Sequence, residues 1–333
     1  MKNGIYIYGI IKTSGSHEFG EIGIGNDTAS QVLTLGFKDL AAVVSKSPLV
    51  VYDSQDKEKV IKDLVTHQFV IEKVMQSFTI LPVKFGTMVE TEDEVIKFLE
   101  KGYVLLSNEL GKSEGKIELD VVAWLDLPKT IAAISRNNSQ IQEKQQKLAL
   151  KGAKVSIEDK VMLGQSIEQA LKAEKASYNQ LILQTLKQGV EDVCLHDLAN
   201  DEMIFNAAFL LEKKNKKFFD TVVDTLDQKL ENNVNFRVVG PLPLYSFSTI
   251  VFKKIDPEKI EEAKKTMGLT GEITDKAIRD AYHQLAKEYH PDKNSGEDSI
   301  QFQLINAAYR TLKNFIENGL IQVEVYQWKE DGL

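Results

Sequence analysis

Cysteine is nearly missing from this chain of 333 residues: Cys194 stands alone, so no internal disulfide can form. The fold must therefore rest on packing and hydrogen bonds. No spacing of Cys and His suggests zinc, and neither a metal nor a cofactor is expected. Long apolar runs are absent too, and none approaches the roughly 20 residues that a membrane-spanning helix needs. Positive charge is in deficit, with 41 Lys and Arg against 49 Asp and Glu and a net charge of -8. That balance argues against nucleic acid as the main partner, because contacts to phosphate supply most of such affinity. The signatures of common catalysis are also missing. Gly20, Gly23 and Gly25 lie in a polar stretch that leads into no helix carrying Lys-Ser/Thr, so they do not cradle a nucleotide phosphate. No Gly-x-Ser-x-Gly elbow occurs. What remains is ordinary globular material, 43% hydrophobic and 27% charged. Met1 to Tyr6 run straight into a strand pattern without a signal-peptide layout, and the chain reads as cytosolic.

The patterns that are present divide the chain. Ile5 to Ile11 is apolar and β-branched or aromatic throughout, as a strand buried on both faces would be. Residues 12 to 30 read as loop. Val32–Phe37 and Leu40–Val44 form a strand pair across Lys38-Asp39. Val60, Leu64, His67, Ile71, Val74 and Phe78 alternate steps of four and three, one stripe of a helix. Thr79–Phe85 follows as a strand in which Pro82 favours an edge or a start. Thr91, with Glu94 three residues on, opens a helix to about Leu106. Leu119–Leu125 closes a β-β-β-α-β-α-β order, close to a ferredoxin-like split βαβ sandwich with one added strand.

Residues 128 to 190 are rich in Gln, Lys, Ala and Glu and predict one or two long helices interrupted near Gly152. Their stripe runs through Ile167, Leu171, Tyr178, Ile182 and Thr185. A second α/β unit starts at Met203. It has a strand over Ile204–Leu211, a helix marked by Phe218, Val222, Leu226 and Leu230, a strand over Val234–Val239, a stiff loop over Gly240–Tyr245 and a strand over Ser246–Phe252. Leu320 to Trp328 reads as a terminal strand or tail.

The most specific local pattern lies near the end. Ile278, Tyr282, Leu285 and Tyr289 mark one helix face, and Phe302, Ile305, Tyr309, Leu312 and Ile316 mark another. Between them stand His290-Pro291-Asp292-Lys293-Asn294, and Pro291 bars helix continuation. Two antiparallel helices around a polar loop result. This arrangement, with Ala281-Tyr282 and Asn306-Ala307-Ala308-Tyr309, resembles the J domain of DnaJ-type co-chaperones. The resemblance implies that His290, Pro291 and Asp292 stimulate the ATPase of a DnaK-type chaperone, and that a basic face of the preceding helix docks it. Here that face is depleted: over residues 275 to 289, Lys276, Arg279 and Lys287 are offset by Asp275, Asp280 and Glu288. His283 and Gln284 stand where the family usually has Lys or Arg. Arg279, His283 and Lys287 step by four and are the remaining docking candidates.

A second resemblance covers residues 1 to about 253. Tyr6-Ile7-Tyr8-Gly9-Ile10, Leu81-Pro82-Val83-Lys84-Phe85-Gly86-Thr87, Asn206-Ala207-Ala208-Phe209-Leu210-Leu211 and Gly240-Pro241-Leu242-Pro243-Leu244-Tyr245-Ser246-Phe247 look like the signature stretches of the gas vesicle GvpF/GvpL family, in the family's order. The family's usual Gly-Pro-Trp-Pro-Pro-Tyr is changed here by Leu242 and Leu244. The resemblance implies a ferredoxin-like N-terminal domain followed by a second α/β domain. It also implies an accessory or minor protein of gas vesicles that contacts the small, very hydrophobic shell protein GvpA. A protein with such apolar faces aggregates unless covered, and recruiting a chaperone ATPase would allow its release.

The expected organisation is α+β: a ferredoxin-like domain at 1–127, a helical segment at 128–200, a second α/β unit at 201–254 packing with that segment, a J-like helical module at 255–318, and a terminal strand or tail at 319–333. No catalytic residue is expected. His67 reads as a core histidine satisfied by a hydrogen bond, and Cys194 and His196, two apart on a strand, as structural. The expected role is an assembly protein, cytoplasmic and associated with gas vesicles; the alternative is a minor structural component whose J-like module serves only for docking.

Overall fold

The computed structural model describes residues 3–25, 29–50, 52, 56–230, 233–289 and 297–328. In chain order the elements are strands β1 (Asn3–Lys12), β2 (Glu18–Gly23), β3 (Ser30–Phe37) and β4 (Leu40–Pro48), helix α1 (Lys57–Met75), β5 (Ile80–Pro82), β6 (Met88–Val89), α2 (Glu92–Ser113) and β7 (Lys116–Leu125). Three helices follow, α3 (Leu127–Asn137), α4 (Ser139–Lys151) and α5 (Ile157–Leu186), then β8 (Asp192–Leu195), β9 (Met203–Glu212), α6 (Lys216–Leu230), β10 (Val234–Leu242) and β11 (Thr249–Lys254). The last elements are α7 (Pro257–Thr266), α8 (Asp275–Glu288), α9 (Glu297–Asn318) and β12 (Ile321–Tyr326). The mixed α+β architecture is the one expected. Two compact units result, Met1–Lys112 with Ile250–Val325 and Ser113–Thr249 with Tyr326–Leu333.

In the first unit an antiparallel sheet has the order β2-β3-β4-β1-β5, with β6 also pairing β1. β1 is central, which is why its sequence is apolar on both faces. A register shift between Ile7 and Gly9 brings Ile5, Ile7 and Ile10 into one core cluster with Val95, Phe98, Leu99 and Leu106 of α2. Gly9 is required by close approach: a Cβ there would lie 2.6 Å from the Ile80 side chain and 2.8 Å from the Leu81 carbonyl. Glu94 N–H donates to Thr91 Oγ1 at 3.3 Å and the Glu94 carboxylate accepts from Glu90 N–H at 2.9 Å, so Thr91 opens α2 as its spacing predicts. β11 and β12 form a two-stranded sheet whose Phe252 and Val323 pack toward α2. Helices α7, α8 and α9 enclose their own core of Ile260, Met267, Ile278, Ile305 and Leu312.

The second unit contains a sheet of order β10-β7-β9-β8, antiparallel at each pairing, with helices after β7 and β9. That is the β-α-β-β-α-β order of a split sandwich, in which the first strand lies between the third and fourth. At Gly240 β10 passes so close to β7 that a Cβ would lie 2.7 Å from Leu119 and 2.8 Å from the Glu118 carbonyl; its φ of 136° also favours glycine. The helical break expected near Gly152 falls between α4 and α5, with Gly152 at φ 51°.

Several local expectations are corrected. The strand over Leu119–Leu125 does not close the first sheet. It pairs with β9 and β10, because its apolar residues find both partners in the second unit. Residues 12 to 30 contain β2, an edge strand with two register shifts; such a strand needs few apolar residues, so its composition resembles a loop. α2 runs on to Ser113. α1 buries His67, Ile71 and Val74 of its predicted stripe, but Leu64 is 45% exposed and Asp63 is buried instead. α6 buries Phe219, Val223, Leu226 and Leu230 and leaves Phe218 exposed, because Phe219 meets Phe209 at 5.2 Å. Ser246–Ser248 form a turn before β11, with Ser248 N–H donating to the Leu244 carbonyl at 2.8 Å.

Candidate functional site

The helix before the His-Pro-Asp tripeptide is α8. Thr274 Oγ1 caps it by accepting from Ala277 N–H at 3.2 Å. Its inner face holds Ile278, Tyr282, Leu285 and Tyr289 against α9. The Tyr282 hydroxyl donates to Asn306 Oδ1 at 2.8 Å and its ring lies 4.3 Å from that of Tyr309, so α8 and α9 are fixed by a polar and an aromatic contact together. The opposite face carries Arg279, His283 and Lys287, all exposed, as their spacing of four requires. Exposed Asp280 and Glu288 flank them. Arg279 is ion-paired to Asp275, which also holds Lys313 Nζ at 2.5 Å. Lys313, with Arg279 beside it, keeps the Asp275 carboxyl below its usual range. Of Arg279 and Lys287, the two cations of the row, Arg279 is thus already engaged within the module. His290, Pro291 and Asp292 lie outside the described residues.

The first two signature stretches meet at β1. Ile7 N–H donates to the Thr87 carbonyl at 3.0 Å and Val83 N–H to the Tyr8 carbonyl at 2.9 Å. The Tyr6 hydroxyl accepts from Gly86 N–H at 2.9 Å and lies 3.0 Å from His67 Nδ1. His67 is 3% exposed. Burial pushes its imidazole down to about 4, against the pull of the Val83 backbone, so it is neutral at pH 7. A neutral ring accepts the Tyr6 proton on one nitrogen and donates the other to Val83, which satisfies it completely. His67 is a strut holding the Leu81–Thr87 stretch to β1 and α1.

The other two signature stretches meet in the second unit. Cys194, Ala208, Leu244 and Phe247 form one buried cluster. Leu242 and Leu244, the two departures from the family pattern, are 7% and 5% exposed, so they serve as core. Behind them Glu118, 1% exposed, accepts from Ser246 N–H and Ser246 Oγ, each at 2.9 Å. Ser246 Oγ lies 3.2 Å from His196 Nε2. Burial, with Asp120 nearby, pushes the Glu118 carboxyl up to about 8, and burial also raises Asp120 against the pull of His196. Cys194 and His196 both face Trp328, so they share a side as their spacing predicts. Sequence reasoning passed over Glu118 and Ser246. The available signal was two acidic residues, Glu118 and Asp120, alternating with Ile117, Leu119 and Val121 on an otherwise apolar strand. Among the described residues no group of three or more His, Cys, Asp or Glu could hold a metal ion.

The chain is thus a two-unit α+β protein whose signature stretches are structural struts, with a three-helix module that carries an exposed polar face. The comparisons give that class a family. Residues 4–249 match the model of "Gas vesicle synthesis protein GvpL/GvpF", and the chain belongs to that family; residues 265–316 match the DnaJ domain. Gas vesicle protein F of a Nostoc species is 27% identical over 259 residues, covering 75% of this chain and 100% of that protein. Gas vesicle protein F of Microcystis aeruginosa is 26% identical over 257 residues, with the same shares. The crystal structure of GvpF from an Anabaena species aligns with a TM-score of 0.60 at 25% identity, covering 73% of this chain and 97% of that one. The chaperone protein DnaJ of Deinococcus proteolyticus is 40% identical over 52 residues, 15% of this chain and 17% of that protein.

Proposed function

We propose that this chain is a gas vesicle assembly protein that binds GvpA-type shell subunits and recruits a DnaK-type chaperone through its J-type module. It has no catalysis of its own and works in the cytoplasm and at the vesicle. The observation that carries this reading is the joining of a GvpL/GvpF region and a DnaJ domain in one chain. The subunit arm is supported by α1, which buries Asp63 and His67 yet exposes Ile61, Leu64, Val65 and Phe69 by 45% to 62%. Apolar side chains left outward on a helix forgo up to about 1.5–3 kcal/mol each until something covers them, and a hydrophobic shell subunit is such a cover. The chaperone arm is supported by exposed Arg279, His283 and Lys287, with His290, Pro291 and Asp292 next in the sequence after Tyr289.

A second reading has one observation in its favour. The pairing of Arg279 with Asp275 weakens the basic face, as expected of a minor structural component whose module only docks. Co-purification of the full chain with a GvpA-type subunit and a DnaK-type chaperone separates the two. The proposal expects both to be retained, and expects Val65→Asp with Phe69→Asp to release the subunit alone. Retention of the subunit without the chaperone selects the docking-only reading. Retention of neither overturns both.

A further inference from the structure

Trp328 occupies a seat in the second unit that is chemically suited to a peptide. Its N–H donates to the Ser246 carbonyl at 2.8 Å. Its carbonyl accepts from Cys194 Sγ at 3.4 Å. Its ring meets that of His196 edge-on, with centroids 5.3 Å apart and planes at 69°. Both main-chain polar groups of one residue are therefore satisfied while its aromatic side chain is placed. Recognition of extended peptides combines these same elements, backbone bonds for affinity and a side-chain contact for specificity.

The residues of the seat are held by contacts other than those to Trp328. Ser246 is anchored at N–H and Oγ by buried Glu118 and touches His196 through Oγ. Cys194 is packed on Ala208, Leu244 and Phe247. Ser, His and two carboxylates in this order resemble a hydrolytic centre only in composition. Ser246 is 7% exposed and its hydroxyl donates a hydrogen bond to Glu118, so it positions the seat instead of attacking a substrate. The occupant, by contrast, is lightly held: Trp328 remains 42% exposed. The seat also lies inside the family match, which ends at residue 249, whereas Trp328 lies outside it. The Nostoc relative is matched over its whole length by 75% of this chain.

We infer that the Cys194–His196–Ser246 seat is a docking site for an extended protein segment bearing an aromatic side chain, and that Trp328 fills it in cis as a displaceable plug. A partner with such a segment competes with the tail. This site is separate from α1 and α8 and does not depend on their roles.

Cys194, the chain's single cysteine, reports on the seat directly. The experiment follows its maleimide labelling in the full chain, in Trp328→Ala and in Trp328→Phe. A synthetic peptide of residues 321–333 is then added in trans. Labelling of Trp328→Ala should be roughly tenfold faster than wild type, because the plug no longer shields the thiol. The wild-type peptide should slow it again, and the same peptide with Trp328→Ala should not. Trp328→Phe, which keeps a ring, should stay close to wild type. Equal labelling of wild type and Trp328→Ala would overturn the proposal. So would faster labelling that the peptide fails to slow, since Trp328 would then be packing and not a ligand.

Discussion

Tyr6 and Glu118 show how buried polar groups hold the signature stretches in place. The Tyr6 hydroxyl serves two buried partners, Gly86 N–H and His67 Nδ1. Tyr6→Phe keeps the ring and strips both, so it should lower stability by about 1–3 kcal/mol, the usual cost of stranding buried polar groups, in urea unfolding. His67 and Glu118 act on stability in opposite directions. His67 has its folded value depressed to about 4 from 6.5, so the unfolded chain takes up the proton first and stability is lost as pH falls below about 6.5. Glu118 has its folded value raised to about 8 from 4.5, so the folded chain holds the proton. Its contribution is fully present below about pH 4.5 and is lost as pH rises toward 8. Glu118→Gln should therefore flatten the loss of stability between about pH 5 and 8 in urea titrations. An unchanged slope would show that Glu118 is ionised in the folded chain.

Elements were legible where their apolar residues had one possible use. The burial of Ile278, Tyr282, Leu285 and Tyr289 follows from spacing alone, and so do the exposure of Arg279, His283 and Lys287 and the hairpin across Lys38-Asp39. Legibility failed where tertiary partners decide. Nothing local in Leu119–Leu125 says which sheet it joins, and it is the partner strands β9 and β10 that settle it. α1 follows its stripe at His67, Ile71 and Val74 but misleads at its start, where Asp63 is bound inward by Tyr52 and Leu64 is left 45% exposed. The Glu118–Ser246 contact spans 128 positions and leaves no local trace beyond an acidic residue in an apolar strand. On α8 the balance of charge gives a prediction at the same scale. Asp280→Lys replaces an exposed negative charge beside the Arg279–His283–Lys287 row, and should raise stimulation of a DnaK-type ATPase, more at low salt than at physiological salt. Salt-independent stimulation would place the docking contact elsewhere.

At the scale of the whole molecule, a GvpL/GvpF region and a DnaJ domain share one chain, and no helix among the described residues is long and apolar enough to cross a membrane. The physical argument for joining them is that a shell subunit with large apolar faces must be covered until it is placed, and then released. Chaperone turnover supplies a release step that a passive cover lacks. We propose that the two regions work together on one client. The most direct test is steady-state ATP turnover of a DnaK-type chaperone with the full chain, with and without a GvpA-type subunit, for wild type and His290→Gln. The account predicts stimulation by wild type that rises when the subunit is present, and none by His290→Gln. Absence of stimulation by folded wild-type protein, with or without subunit and at low as well as physiological salt, would contradict it.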